Sequence, residues 1–277
     1  MKERTTDSAG AKAVEARSAA SVILLRDSHE GPQVFMVERH SKSSFVGGAH
    51  VFPGGRVDPE DKDAEELCVG LDDALASRRL HLESGGLAYY VAAIRECFEE
   101  AGVLLAYDAE GRLIDTAEPT TAARLEDQRQ ALNAGKRGFL DLAGQEGWRL
   151  ASDCMHYWAH WITPEEAPMR FDTRFFLATV LESQAASHDD GELTDSDWVT
   201  PREALAKAER EEWSIIFPTL RNLMTLTDFS STEEAELAGR RRREIETLQP
   251  RLLRRAGGLQ AVLPGDEGWD EAEPQGG

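Results

Sequence analysis

Long apolar runs, cysteine and positive charge are all scarce in this sequence. No window reaches the roughly 20 consecutive apolar residues that a bilayer-spanning helix needs, so a helical membrane protein is not expected. The three cysteines, Cys68, Cys97 and Cys154, are widely spaced and odd in number. That leaves neither a disulfide framework nor a paired-cysteine metal site, and they are expected to be reduced, small core residues. Lysine and arginine total 31 against 51 aspartates and glutamates, a formal net charge of −20. So acidic a chain repels polyanions and lacks the basic stripe that nucleic-acid binding requires. An anionic small molecule stays compatible, provided that a divalent cation and a few local arginines offset the general field. Met1 to Arg17 is polar and mixed in charge rather than signal-like, and Pro274-Gln275-Gly276-Gly277 matches no peroxisomal or prenylation signal. The cytoplasm is therefore the expected compartment, with no membrane partner. A homodimer is compatible with all of this and is not specified by it.

What is present suffices for a full core: 277 residues, 41% hydrophobic and 30% charged. Residues 1–17 read as disordered. Ser18 to Arg26 and Gln33 to Arg39 are short apolar runs around the turn-rich Asp27 to Pro32 and predict paired strands. A glycine-rich loop follows, Gly47-Gly48-Ala49-His50-Val51-Phe52-Pro53-Gly54-Gly55, of the kind that lets backbone approach a ligand closely. Tyr89 to Ala101 is the strongest helix, with Tyr90, Ala93, Ile94 and Cys97 on one side, Glu96, Glu99 and Glu100 on another, and Gly102 as its stop. Val103–Tyr107, Arg112–Ile114, Met155–Ile162 and Arg174–Leu181 read as strands, and 119–147 as an inserted helical segment. Thr200-Pro201-Arg202-Glu203 is a capping box opening a helix; Phe217-Pro218 opens another, and Ser231–Leu248 reads as a third, highly charged one. The stretch from Pro264 is acidic and glycine-rich and is expected to be unstructured.

The chemistry-bearing feature is the glutamate helix. Positions three and four apart are helical neighbours, so Glu96, Glu99 and Glu100 crowd three carboxylates together. Their repulsion is relieved most simply by a hard divalent cation with oxygen ligands, Mg²⁺ or Mn²⁺. Spacing alone leaves open a plain solvated acidic face; the adjoining glycine loop favours the metal.

Gly55, then five residues, Asp61, and then Arg95-Glu96-Cys97-Phe98-Glu99-Glu100-Ala101-Gly102-Val103 resemble the Nudix box. The second half of the box is matched throughout if Cys97 counts as its small apolar position. The first half departs twice, with Asp61 in place of glutamate and a 33-residue spacer from Lys62 to Ile94 where the box has seven. Chain of that length can be looped out without moving its ends, because closure entropy grows slowly with length. The resemblance implies a Nudix α/β/α sandwich with a mixed β-sheet, helical insertions and a C-terminal helical extension. In that scheme residues 18–230 form the hydrolase domain, with insertions at about 62–88 and 115–147, and 231–277 form the helical extension and acidic tail. It also implies Glu99 and Glu100 as metal ligands, Glu96 as ligand or general base, Arg95 as the partner that orients Glu99, and the Gly54 or Gly55 carbonyl as a further ligand. The implied reaction is hydrolysis of a diphosphate linkage with Mg²⁺ or Mn²⁺ as cofactor.

The continuation Phe52-Pro53-Gly54-Gly55-Arg56-Val57-Asp58-Pro59-Glu60-Asp61 is similar to coenzyme A diphosphatases. The long spacer, Ala159-His160-Trp161-Ile162-Thr163-Pro164 and Arg170-Phe171-Asp172-Thr173-Arg174-Phe175-Phe176 resemble their long-insert, Nudix motif nineteen-like branch. The implied substrate is coenzyme A or an acyl-coenzyme A, cleaved to 3′,5′-ADP and (acyl-)4′-phosphopantetheine. The alternatives are another nucleoside diphosphate derivative (NADH, ADP-ribose or a nucleotide sugar) and a non-catalytic Nudix-fold binding protein. The branch expects an arginine before the first glycines, where this chain has Ser43-Ser44-Phe45; Arg39 or Lys42 is the expected substitute. Arg56 borders the loop. Arg170 and Arg174 either bind substrate phosphate, which guanidinium forks suit, or form a structural pair with Asp172. Glu192 is a candidate for a further acidic contribution to the site. Trp158 and Trp161 are expected in the core rather than stacked on adenine, and His160, without a second ligand at metal spacing, is expected to be structural.

Overall fold

The structure, a computed structural model, describes residues 14–41, 46–116, 118–180, 193–255 and 258–272. The first half comprises β1 (Arg17–Arg26), β2 (Gln33–Arg39), β3 (Ala49–Val51), β4 (Gly54–Arg56), α1 (Asp73–Leu80), α2 (Gly86–Ala101), β5 (Ala106–Tyr107), α3 (Pro119–Asn133), α4 (Phe139–Glu146) and β6 (Arg149–Leu150). Then come β7 (His156–Ile162), β8 (Phe171–Thr179), β9 (Leu193–Val199), α5 (Pro201–Glu209), β10 (Ser214–Ile215), α6 (Phe217–Leu226), α7 (Thr232–Arg241), β11 (Thr247–Leu248), β12 (Arg251–Arg255) and β13 (Gly258–Val262).

The main sheet is mixed, in the order β10-β3-β2-β1-β8-β7-β11, with β4 also on β1 and β9 on β2. β1 lies at its centre, antiparallel to β2 and parallel to β8. Its continuous apolar run is explained by burial on both faces. Ala20, Val22 and Leu24 pack toward α2, whereas Ile23 and Leu25 pack with Trp158, Leu177, Leu223 and Ala235 on the other side. Helices thus cover both faces of the sheet.

The spacer expected to be looped out is instead part of the core. Ala64, Cys68, Leu71, Ala76 and Leu80 are buried in the α2-side cluster, and α1 packs on α2. The segment also caps the start of α2, whose N-cap, Gly85, has no side chain to offer. The Asp73 carboxylate accepts from the amides of Gly85 (2.9 Å) and Leu87 (3.0 Å), and Ser77 Oγ accepts from that of Gly86 (2.9 Å), satisfying amides that the helix cannot. Gly86 permits this contact because a Cβ there would lie 2.4 Å from the Ser77 amide nitrogen.

Other boundaries also move. β8 begins at Phe171 rather than Arg174, drawn into register by its parallel pairing with β1 from Arg17 onward, and it lies between β1 and β7. Of the two strands expected directly after α2, Ala106–Tyr107 pairs with Arg149–Leu150, and Arg112–Ile114 is reduced to a single antiparallel bridge from Leu113 to Tyr107. The charged helix expected to reach Leu248 stops at Arg241, and β11 then adds to the edge of β7, so the C-terminal extension is not wholly helical. A hairpin, β12–β13, follows, and residues 264–272, expected without structure, turn back so that Ala272 and Trp269 pack against Leu253 and Val262. An apolar cluster spread along the sequence is what overrides the acidic composition there. Residues 1–13, from the N-terminal stretch expected to be disordered, lie outside the described residues.

Trp158 and Trp161 are both buried, against Phe229 and Phe217 respectively. Cys68 and Cys97 are buried and all three thiols are free. Among the described residues no helix is long and apolar enough to cross a membrane.

Candidate active site

The C-terminal half of α2 lies against β4 and the turn after it. Arg95 is only 7% exposed. Its Nε donates to Asp61 Oδ1 (3.0 Å) and its Nη2 to Asp61 Oδ2 (3.1 Å) and to the Arg56 carbonyl (2.8 Å). From the other side Nη1 donates to Glu96 Oε1 (2.8 Å) and Glu99 Oε2 (3.4 Å), and Asp58 lies 3.7 Å from Nη2. One guanidinium thus ties the loop to two of the helix carboxylates. Asp61, 2% exposed, also accepts from the Asp58 amide (2.7 Å), which closes the turn that presents it. The third glutamate, Glu100, accepts from the Gly54 amide (2.8 Å). A Cβ at Gly55 would lie 2.5 Å from the Glu96 carboxylate, so a larger residue there would push that carboxylate from its observed place.

The electrostatics are those of crowded acids. Asp58, Asp61, Glu96, Glu99 and Glu100 gather at the loop with a single buried guanidinium among them. Burial pushes Glu99 up to about 7, with Arg95 opposing and the charge of Glu96 adding to the rise. Burial likewise raises Glu96 above the ordinary carboxylate value, against Arg95. For Arg95 burial alone would lower the pKa, but Asp61, Glu96 and Glu99 reverse this and hold it charged.

These donors suit a hard divalent cation: carboxylates that outnumber the Arg95 guanidinium among them, beside a glycine backbone that leaves room for a carbonyl to approach. In the geometry observed, Glu96 and Glu99 turn to Arg95 and Glu100 turns to Gly54. No three His, Cys, Asp or Glu side chains among the described residues converge as a preformed ligand set.

The other expected site residues divide. Arg56 is exposed at the rim, its side chain without a partner among the described residues. Arg39 Nε, at the end of β2, is buried and unbonded among the described residues. Arg170 is consumed inside the protein, donating to the carbonyls of Thr163 (3.1 Å) and Val14 (2.7 Å). Arg174, 3% exposed, donates to Asp172 Oδ1 (2.8 Å) and lies over the Tyr89 ring, 4.4 Å from its centroid. The pair with Asp172 is thus made by Arg174, whereas Arg170 is held by backbone carbonyls instead. Glu192 lies outside the described residues. The role of Asp61 was obscured in the sequence by the 33 residues that separate it from Arg95; Asp58, beside it, carried no signal of its own.

His160 is structural as expected. Its Nε2 donates to Asp172 Oδ1 (2.6 Å) and its Nδ1 accepts from Thr247 Oγ1 (2.8 Å), a division of roles that neutral imidazole allows. Burial alone would raise Asp172, but His160 and Arg174 more than reverse it and hold its carboxyl below the ordinary range. A carboxylate with a lowered pKa contributes stability that is present above its unfolded value and lost as pH falls through the folded one. Asp172→Asn is therefore expected to lower unfolding free energy by about 1–3 kcal/mol at pH 7, with the gap to the parent protein narrowing at a pH below the ordinary aspartate value. Denaturant titrations at both pH values measure this; an equal gap at both would refute the assignment.

A family model described as the NUDT19 Nudix domain matches residues 81–226, more than half of the chain. The acyl-coenzyme A diphosphatase NUDT19 of Gallus gallus is 30% identical over 92% of this chain and 80% of its own length. That of Homo sapiens is 28% identical over 86% and 72%. A crystal structure of a NUDIX hydrolase from Alicyclobacillus acidocaldarius superposes with a TM-score of 0.64 at 27% identity, covering 80% of this chain and 96% of that one. The chain belongs to the NUDT19 Nudix family. Its mixed sheet between helices is the Nudix α/β/α sandwich that the box resemblance implied.

Proposed function

We propose that this protein hydrolyses the diphosphate linkage of coenzyme A or an acyl-coenzyme A, releasing 3′,5′-ADP and (acyl-)4′-phosphopantetheine, with Mg²⁺ or Mn²⁺ as cofactor. The observation that carries this reading is the Asp61–Arg95 clamp, which brings Glu96 and Glu99 to the Gly54-Gly55 loop across the 33-residue spacer. The substrate class is supported by relatives named acyl-coenzyme A diphosphatases that align along most of the chain.

Glu99, Glu100, Glu96 and the Gly55 carbonyl are the groups to hold the cation. When bound, it supplies charge neutralisation on the diphosphate oxygens and acidifies water. The chain's own part is positional. Arg95 keeps Glu96 and Glu99 on the loop side of α2, and the Gly54 amide orients Glu100. A carboxylate of this set, Glu96 foremost, receives the proton of the attacking water. Arg39 and Arg56, whose guanidinium groups retain unused donors, are placed to meet substrate phosphates. Retention of all three box glutamates counts against a non-catalytic role. The free thiols suit a reducing compartment, and we assign the protein to the cytoplasm.

The test is incubation with Mg²⁺ or Mn²⁺ and coenzyme A, acetyl-coenzyme A, NADH, ADP-ribose and nucleotide sugars, with products identified by mass. Release of 4′-phosphopantetheine, abolished by chelation, is the expected result. Turnover only of another substrate would overturn the substrate assignment, and no turnover at all would overturn the enzyme reading.

A further inference from the structure

A second basic concentration stands apart from the carboxylates. The C-terminus of α1, the start of β7 and the end of α7 border a groove of about 680 Å³ that Arg78, Arg79, Arg240, Arg242 and Arg243 help to line. The volume lies within the range of small-molecule sites. It sits at the opposite end of α2 from Glu96, Glu99 and Glu100: Arg79 lies beside the Tyr90 hydroxyl, in the second turn of that helix. The groove shares no residue with the carboxylate cluster.

In a chain with a net charge of −20, five arginines would be expected to find carboxylates, yet among the described residues only Arg240 does, with Glu236. Arg242 is held by neutral groups, donating to the Trp158 carbonyl (2.7 Å) and lying 3.7 Å from the centroid of its ring. Burial lowers its pKa, and no acidic neighbour offsets the effect. Among the described residues the side chains of Arg78 and Arg243 make no hydrogen bond or ion pair. Asp153, the one carboxylate lining the groove, accepts from the Tyr107 hydroxyl (3.1 Å). Last-turn arginines do suit helix C-termini, but that effect requires neither Arg242 nor Arg243, which follow α7, nor the convergence of two helices on one cavity. Cations gathered without counter-ions are stabilised by an anion, and guanidinium forks fit phosphate oxygens. The overall negative field excludes long polyanions and leaves compact ones.

We infer that the groove between α1, β7 and α7 is a binding site for a small phosphate-bearing anion, inorganic or a nucleoside monophosphate, distinct from the site of hydrolysis. It is lined by Met155, His156 and Tyr157 as well as by the arginines, so that a phosphate ester has an apolar and aromatic wall to rest on. The inference does not rest on the reading of the carboxylates.

Titration calorimetry on the full chain, freed of metal on chelating resin, tests it with pyrophosphate and AMP as separate probes. Binding of either probe is expected to persist in Glu99→Gln and to weaken about tenfold or more in Arg78→Glu/Arg243→Glu. The tighter of the two probes identifies the source of the phosphate. Should the charge-reversed protein fail to fold, Arg78→Gln/Arg243→Gln is read instead, with the same loss expected. No binding of either probe to the parent protein would overturn the inference. So would binding that is lost in Glu99→Gln and retained in the arginine variants, since it would then belong to the carboxylate site.

Discussion

Glu99→Gln and Glu100→Gln are each expected to lower diphosphatase kcat/KM by on the order of 10³-fold while leaving the fold intact, since several kcal/mol of charge stabilisation depends on the ligand set. The two side chains sit differently, and the variants should separate accordingly. Glu99 is pushed up to about 7 by burial and the neighbouring Glu96, so replacing it with a neutral amide removes a crowded charge and should not lower the thermal midpoint. Glu100 accepts from the Gly54 amide; glutamine keeps an oxygen to do the same, so the loop should hold. Steady-state kinetics across a Mg²⁺ titration, together with melting curves, give both quantities. Retained activity in either variant would remove that residue from the ligand set, and a collapsed melting curve would make its role structural.

The second large effect is on stability. Asp61→Ala should lower unfolding free energy by about 3–5 kcal/mol, the usual consequence of leaving one half of a buried ion pair without its partner. Asp61 is 2% and Arg95 7% exposed, and the two share a bidentate contact. Asp61→Asn retains the shape and an acceptor but not the charge, and should fall between the parent and the alanine variant. Activity should drop as well, through KM for the metal as much as through kcat, because Arg95 then positions Glu96 and Glu99 less firmly. Denaturant unfolding with and without Mg²⁺ reports the first effect and metal-dependent kinetics the second. A loss under about 1 kcal/mol for Asp61→Ala would mean that the clamp is not what joins loop to helix.

Much of this architecture is written locally. The capping box at Thr200 to Glu203 and the stop at Gly102 rest on interactions within a few residues, and each appears where the sequence places it. The Thr200 hydroxyl accepts from the Glu203 amide, and the Glu203 carboxylate accepts from that of Thr200, as the box requires. The three glutamates of α2 likewise share a face because the helical repeat demands it.

Elsewhere local pattern misled. Residue type alone left Arg174 open between a phosphate ligand and a structural partner of Asp172. Pairing with β1 and β7 puts it inside, where Tyr89 and Asp172 occupy it. The stretch after Arg241 reads as continued helix by composition, yet Thr247 is captured by His160 and Arg242 by Trp158, groups more than 80 residues earlier in the chain. The acidic tail folds back because Trp269 and Ala272 reach Leu253 and Val262, which no local window reveals.

The sequence by itself determined that α2 carries a row of carboxylates beside a glycine loop, and hence the chemistry available to the chain, because helical spacing and residue type suffice for that. Only the tertiary structure decided what the 33 residues between Asp61 and Arg95 do. They are core and helix cap rather than a loop set aside, since burial of Ala64, Leu71, Ala76 and Leu80 and the bonds from Asp73 and Ser77 to α2 depend on distant partners. The convergence of Arg78 and Arg79 with Arg240, Arg242 and Arg243 likewise exists only once α1 and α7 have packed at the same end of β7.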